Sequence, residues 1–183
     1  KAKQLGLACV GARNNYHLGR IGTYAEHCVA AGMVSIHFVN VVGHPPFVSL
    51  WGSREKRLQT NPFCCGVPTE KAPLILDMAT SAIALGKVRV ANMKGEPVPE
   101  GALFDAAGRP TQDANAIAEG GSLGPFGGHK GSGLALMCEL LGGALAGEWT
   151  MQDLDKQQEM TVNHMLMLIL DPDVFGGAAG FAR

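Results

Sequence analysis

No Cys-x-x-Cys pair occurs in these 183 residues, and the five cysteines, Cys9, Cys28, Cys64, Cys65 and Cys138, are an odd number. That argues against a disulfide framework and a thiolate zinc site, and favours reduced thiols in a cytoplasmic setting. His27, His37, His44, His129 and His164 show no paired ligand spacing either, so no metal is expected. Charge of one sign is missing too: 15 Lys and Arg face 16 Asp and Glu. A net charge of -1 gives no electrostatic ground for nucleic acid or an anionic membrane. Apolar runs stop far short of a bilayer span, and Lys1-Ala2-Lys3-Gln4 is no signal-peptide core, so no membrane partner is expected. Two nucleotide signatures are absent as well. No Gly-x-Gly-x-x-Gly turn follows the first strand, and no Gly-Lys-Ser/Thr triplet occurs, which disfavours a standard Rossmann unit and a P-loop hydrolase. Internal repeats and low-complexity tracts are lacking.

What remains is 46% hydrophobic and 17% charged, enough for a buried core in one domain or in a large piece of a two-lobed protein. Short apolar strands are expected at Leu5 to Val10, Met33 to Val42, Phe63 to Val67, Pro73 to Asp77 and Met165 to Leu170. Gly11 to Asn15 reads as a polar turn. A helix over Thr23 to Ala31 carries Thr23 and Glu26 as a capping box, with Gly32 ending it. A second is expected from Ala79 to Val90, with Ile83 and Val90 on one face. A third should run from the glycines near 133 to about Ala146, burying Leu134, Cys138, Leu141 and Leu145. Ser49 to Gln59 and Lys94 to Asn115 read as surface excursions, and Met151 to Met160 as a loop or exposed turn. Alternating strands and helices argue an α/β fold, layered as a mixed sheet with helices on both faces.

The densest chemical signal is Gly120-Gly121-Ser122-Leu123-Gly124-Pro125-Phe126-Gly127-Gly128-His129-Lys130-Gly131-Ser132-Gly133. Glycines let main-chain N–H groups face a ligand closely, and a helix opening behind them adds unpaired donors and the positive end of its dipole. With Lys130 this reads as an anion site suited to phosphate or pyrophosphate, or as a connection that only lets a helix pack tightly. His17 lies between a strand and a helix with Gly19 and Gly22 beside it, the setting of a proton carrier or of a histidine that caps a turn. Asp77 ends an apolar strand; it suits ribose hydroxyls, an imidazole, or the cap of the next helix. The Cys64-Cys65 pair reads as strand packing.

Taken in order, several segments resemble the malate/L-lactate dehydrogenase family, which lacks the usual Rossmann fingerprint. They are Asn14-Asn15-Tyr16-His17-Leu18-Gly19, Thr60-Asn61-Pro62, Leu76-Asp77-Met78-Ala79-Thr80-Ser81, Gly86-Lys87-Val88, Lys94-Gly95-Glu96-Pro97-Val98-Pro99 and Pro125 to Leu136. The resemblance implies hydride transfer between NAD or NADP and a small 2-oxo or 2-hydroxy acid, in a homodimer. It makes His17 the proton-transferring residue, with Asp77 as the second catalytic candidate. Asp77, Met78, Ala79, Lys130, Gly128, His129, Gly131, Thr60 and Asn61 are then the cofactor contacts. Reduction of a cyclic imino acid, or dinucleotide binding without catalysis, are the alternatives. Where the family often has a cofactor-touching serine after Asn40, this chain has Val41-Val42; Trp51-Gly52-Ser53 replaces a Gly-Gly turn. The family's upstream Ser-His-Gly segment with its arginine, and its C-terminal cofactor segment, have no counterpart here. Residues 1–183 are therefore expected to be the cofactor-binding core of a larger dehydrogenase, a fragment lacking both flanks.

Overall fold

A computed structural model describes residues 1–153 and 160–181. Most of the segment expected as a loop or exposed turn at 151–160 thus lies outside the described residues. In chain order the elements begin with α1 (Ala2–Leu5), β1 (Leu7–Asn15), α2 (Gly22–Ala30), β2 (Val34–Val42), β3 (Val48–Ser49) and β4 (Lys56–Leu58). They continue with β5 (Phe63–Val67), β6 (Leu74–Met78), α3 (Leu85–Lys94), β7 (Leu103–Phe104), β8 (Pro110–Thr111) and β9 (Ser122–Leu123). Then come α4 (His129–Cys138), a π-helical segment (Glu139–Leu145), β10 (Val162–Leu170) and α5 (Ala178–Phe181).

Two five-stranded sheets carry these elements. The larger runs β1-β10-β2-β5-β6 and is antiparallel throughout; the smaller runs β4-β3-β9-β7-β8 and contains a parallel pair, β3 with β9. Helices cover both faces of the larger sheet, because β2 alternates. Val39 points to α2, packing with Ile21, Ala25, Cys64 and Met165, while Asn40 meets Gly143 of the π segment on the other side. The smaller sheet builds a second core around Val48, Leu58, Leu103 and Leu123, against Val88 of α3 and Ala135 of α4. The α/β reading with a mixed sheet holds, and no Rossmann crossover appears among the described residues.

Several local expectations need correction. Gly11 to Asn15 continues β1 instead of turning: the ladder to β10 reaches Asn15 opposite Asn163, with an irregularity after Ala12 and Asn14 at φ 54°. An exposed edge strand tolerates polar residues. The capping box at Thr23 and Glu26 does not form. Asp77 Oδ2 accepts the Gly22 N–H at 2.7 Å and supplies the missing acceptor, while Glu26 takes a two-pronged pair from Arg20. Gly32 does follow the helix in the left-handed region, at φ 77°. The second helix starts at Leu85, not Ala79, since Thr80 to Ala82 bond to Thr60 and to Gly124. Val88 is its buried residue; Val90 is exposed and Ile83 precedes the helix. The supposed surface excursions contribute β3, β4, β7 and β8, and bury Leu58, Val98, Ala102 and Leu103.

The largest correction concerns the third helix. Its buried side is Gly131, Ala135, Cys138, Glu139, Gly142 and Gly143, while Leu136, Leu140 and Leu145 face outward. Leu134 and Leu141 are half-buried. Small residues win because the backbones touch: a methyl on Gly142 would sit 2.7 Å from the Phe38 carbonyl oxygen and 2.9 Å from the Asn40 nitrogen. The change to π winding at Glu139 turns the following residues away from the 3.6-residue pattern.

Two expected outcomes follow from this packing. Gly131→Ala drives a methyl into the Phe126 backbone and should cost about 1–3 kcal/mol, whereas Gly133→Ala, with open space around it, should add about 1 kcal/mol; denaturant titration measures both. Buried His37 and His164 have pKa values lowered by burial from 6.5 to about 4. The unfolded chain therefore takes up their protons first, and stability falls as pH drops from about 6.5 toward 4, by on the order of 2 kcal/mol for each at pH 5. Glu139, raised by burial, opposes this as a single group. The melting temperature should thus be lower at pH 5 than at pH 7; an equal or higher value contradicts the neutral buried imidazoles.

Candidate active site

Between β1 and α2 the chain makes a short loop that carries His17. Asn163 of β10 holds it in place: its Oδ1 accepts the Leu18 N–H at 2.9 Å, and its Nδ2 donates to the Asn40 carbonyl at 3.3 Å. Tyr24 adds a hydroxyl bond to the Leu18 carbonyl at 3.2 Å. Asn14, three residues before His17, donates its N–H to Nδ1 of buried His164 at 3.0 Å. The His17 ring is exposed, and its Nδ1 accepts the Gly19 N–H at 2.9 Å. In the neutral ring the proton therefore resides on Nε2.

His17 opens onto a cavity of about 540 Å³, lined also by Gly19, Ile21, Val39, Val41, His44, Phe47, Gln59, Thr60, Pro62, Leu85, Arg89, Thr161 and Asn163. Arg89 and two histidines border it, and among the described residues no carboxylate does. Gln59 fixes one wall by donating to the His44 and Pro45 carbonyls at 3.2 and 2.8 Å. Of the residues the sequence pointed to, His17 and Thr60 share this space. His44, Arg89 and Asn163 were missed, because they come from three separate elements and no local motif joins them. Leu85 and Arg89, four apart on α3, share one helix face, which was the readable part of that signal.

The glycine stretch forms a second cluster. Gly127 and Gly128 adopt φ of 55° and 63°, and α4 opens behind them with His129 and Lys130 in its exposed first turn. The first N–H groups of a helix have no acceptor within it. Lys130 forms no ion pair among the described residues. Trp51 leans over this turn, its ring 6.4 Å from that of His129 and against Gly128. The Phe126 N–H donates to the Thr80 carbonyl at 3.0 Å and Ser81 bridges to Pro125, so the stretch lies beside the segment following Asp77, Met78 and Ala79.

Three expected site residues have other duties. Asn61 is fully buried: Oδ1 accepts the Val41 N–H at 3.2 Å, while Nδ2 donates to Glu139 at 2.7 Å and to the Ala135 carbonyl at 3.2 Å. Gly131 is buried against the Phe126 backbone. Asp77 holds the start of α2 through Gly22, and no hydrogen bond joins it to His17. The thiols of Cys64 and Cys138 are pushed up to about 12 by burial, as packing residues are.

The profile of the malate/L-lactate dehydrogenases matches residues 1–183. The chain belongs to that family. Hydroxycarboxylate dehydrogenase B of Escherichia coli K12 is 50% identical over 181 residues, covering 96% of this chain and 50% of that protein. L-lactate dehydrogenase of Cupriavidus necator is 43% identical over 176 residues, covering 94% of the chain and 50% of that protein. The crystal structure of delta1-piperideine-2-carboxylate reductase from Pseudomonas syringae superposes with a TM-score of 0.87 at 35% identity, over all of this chain and 55% of that one. The chain spans about half the length of the curated relatives it matches.

Asn163→Ala leaves the Leu18 N–H without its acceptor, which should cost about 1–3 kcal/mol. Amide hydrogen exchange at Leu18 should accelerate while that in β5 changes only with global stability. Unchanged Leu18 protection would remove Asn163 as the holder of the His17 loop.

Proposed function

We propose that this chain is the cofactor-binding core of an oxidoreductase that moves a hydride between NAD or NADP and a small 2-hydroxy or 2-oxo acid. The observation that carries the reading is His17 facing a cavity that Arg89 also lines and that no carboxylate of the described residues borders, in a chain matched by the dehydrogenase family over its whole length. An acid substrate needs such a setting, because an unpaired carboxylate nearby would repel it. The bound nicotinamide supplies or accepts the hydride. His17 exchanges the proton at the substrate oxygen through Nε2, while Asn163 and Gly19 keep the ring at the cavity mouth.

A dinucleotide fits the glycine stretch on two observations. Positive φ at Gly127 and Gly128 opens the turn ahead of α4, and Lys130 adds an exposed ammonium with no ion pair among the described residues. Asp77, Met78 and Ala79 adjoin it through the Thr80 bond to Phe126. A second reading, reduction of a cyclic imino acid, is supported by reductases of pyrroline and piperideine carboxylates among the relatives, one of them 42% identical over 152 residues. The same proton delivery serves an imine nitrogen. Homodimer formation is part of the proposal, supported by the outward leucines at 136, 140 and 145, and so is a cytoplasmic setting, supported by five free thiols. No helix among the described residues is long and apolar enough to cross a membrane.

His17→Ala should lower turnover of the preferred acid by about 10²–10⁴-fold while reduced-cofactor binding, followed by nicotinamide fluorescence, persists. Lys130→Ala should instead weaken that binding roughly tenfold to a hundredfold. Full turnover in the His17 variant, or cofactor binding indifferent to Lys130, contradicts the respective role. Assay with both reduced cofactors against pyruvate, oxaloacetate and piperideine carboxylate separates the two substrate readings.

A further inference from the structure

Arg89 is a charged group in the cavity for which no role has yet been given. It stands on α3, and Leu85, one turn earlier on the same face, lines the cavity with it. The helix is fixed from behind by Val88, 1% exposed in the core of the smaller sheet. The guanidinium is thus delivered by a packed helix, not by a mobile loop. Among the described residues it forms no ion pair, and no carboxylate of theirs lines the cavity to neutralise it. A permanently charged planar fork without a protein counter-ion is suited to a carboxylate brought by a ligand.

The proton-transferring end and the guanidinium end belong to different layers. His17 sits on the loop leaving the larger sheet, and Arg89 on the helix packed against the smaller one. At about 540 Å³ the cavity is within the range that holds whole small ligands, and nicotinamide and acid must share it. We propose that Arg89 reads a second anionic group at the end of the substrate away from the reacting carbon, so that the cavity prefers dicarboxylic 2-oxo acids to monocarboxylic ones. This rests on the dehydrogenase reading of the His17 cavity and specifies its substrate class.

The test compares the wild-type chain with Arg89→Met and Arg89→Lys, using oxaloacetate and pyruvate at saturating cofactor. Arg89→Met should raise KM for oxaloacetate by about 10–100-fold, with pyruvate within twofold of wild type. Arg89→Lys, which keeps charge but not the fork, should fall between. Calorimetry with the unreactive pair N-oxalylglycine and oxamate gives the same comparison without turnover: only N-oxalylglycine, which has the distal carboxylate, should lose affinity. Equal losses for both members of a pair would assign Arg89 to the carboxylate they share or to the fold, and would overturn the proposal. So would no loss for either, or weakened cofactor binding in place of acid binding. Absence of turnover for both acids, with N-oxalylglycine still discriminated by Arg89, would instead count against the dehydrogenase reading while leaving the anion contact intact.

Discussion

The buried side chain of Asn61 is the joint on which the architecture turns. One amide oxygen accepts from Val41 in the larger sheet, and the amide nitrogen donates to Glu139 and Ala135 at the helix behind the glycine stretch. Its neighbours extend the joint: the Pro62 carbonyl accepts the Val39 N–H, and the Thr60 and Asn61 carbonyls both accept the Thr80 hydroxyl. Thr60-Asn61-Pro62 therefore connects β2, the end of β6 and the glycine helix at once. Buried polar groups are costly unless satisfied, so this joint has one arrangement of low energy. Because Thr60 and Pro62 also line the cavity, the same bonds fix its wall.

From that joint the division of labour follows. One part of the proposed site presents His17 on a loop braced by Asn163, at a cavity that Arg89 also lines. The other presents an exposed helix start with two glycines in the left-handed region and one lysine. Small residues on α4 and the π segment allow the helix to press against the β2 backbone, which a leucine stripe could not do. Close backbone approach is the reason for so many glycines there, and the open turn proposed for the anion and the tight packing come from the same composition.

Strands with continuous apolar runs were readable directly: Phe63–Val67 is observed at its expected bounds, and Val34–Val42 within one residue. The glycine stretch was readable as the opening of a helix, because no other residue type leaves a turn so open. Harder to read were features set by distant partners. Asp77 serves α2, 55 positions away, so neither its role nor the failure of the Thr23 capping box is written locally. Leu134 to Leu145 has the composition of an amphipathic helix, but at the contact with the sheet Gly142 and Gly143 leave no room for a leucine stripe. Gly11 to Asn15 looked like a turn since its polarity reflects an exposed edge, not a change of direction. At the site, His17 and Thr60 stood out by neighbourhood; Asn163 and Arg89 did so only once β10 and α3 were placed.

The proposed chemistry requires the turn at Gly127 to Lys130 and the imidazole of His17 to serve a single bound dinucleotide. A crystal structure of the protein with reduced cofactor and an unreactive 2-oxo acid analogue tests it most directly. The expected result has the pyrophosphate at the first turn of α4 beside Lys130, and the nicotinamide in the His17 cavity with the analogue's oxygen within hydrogen-bond reach of Nε2. A nicotinamide found outside that cavity, or a pyrophosphate held away from the glycine turn, would contradict the account.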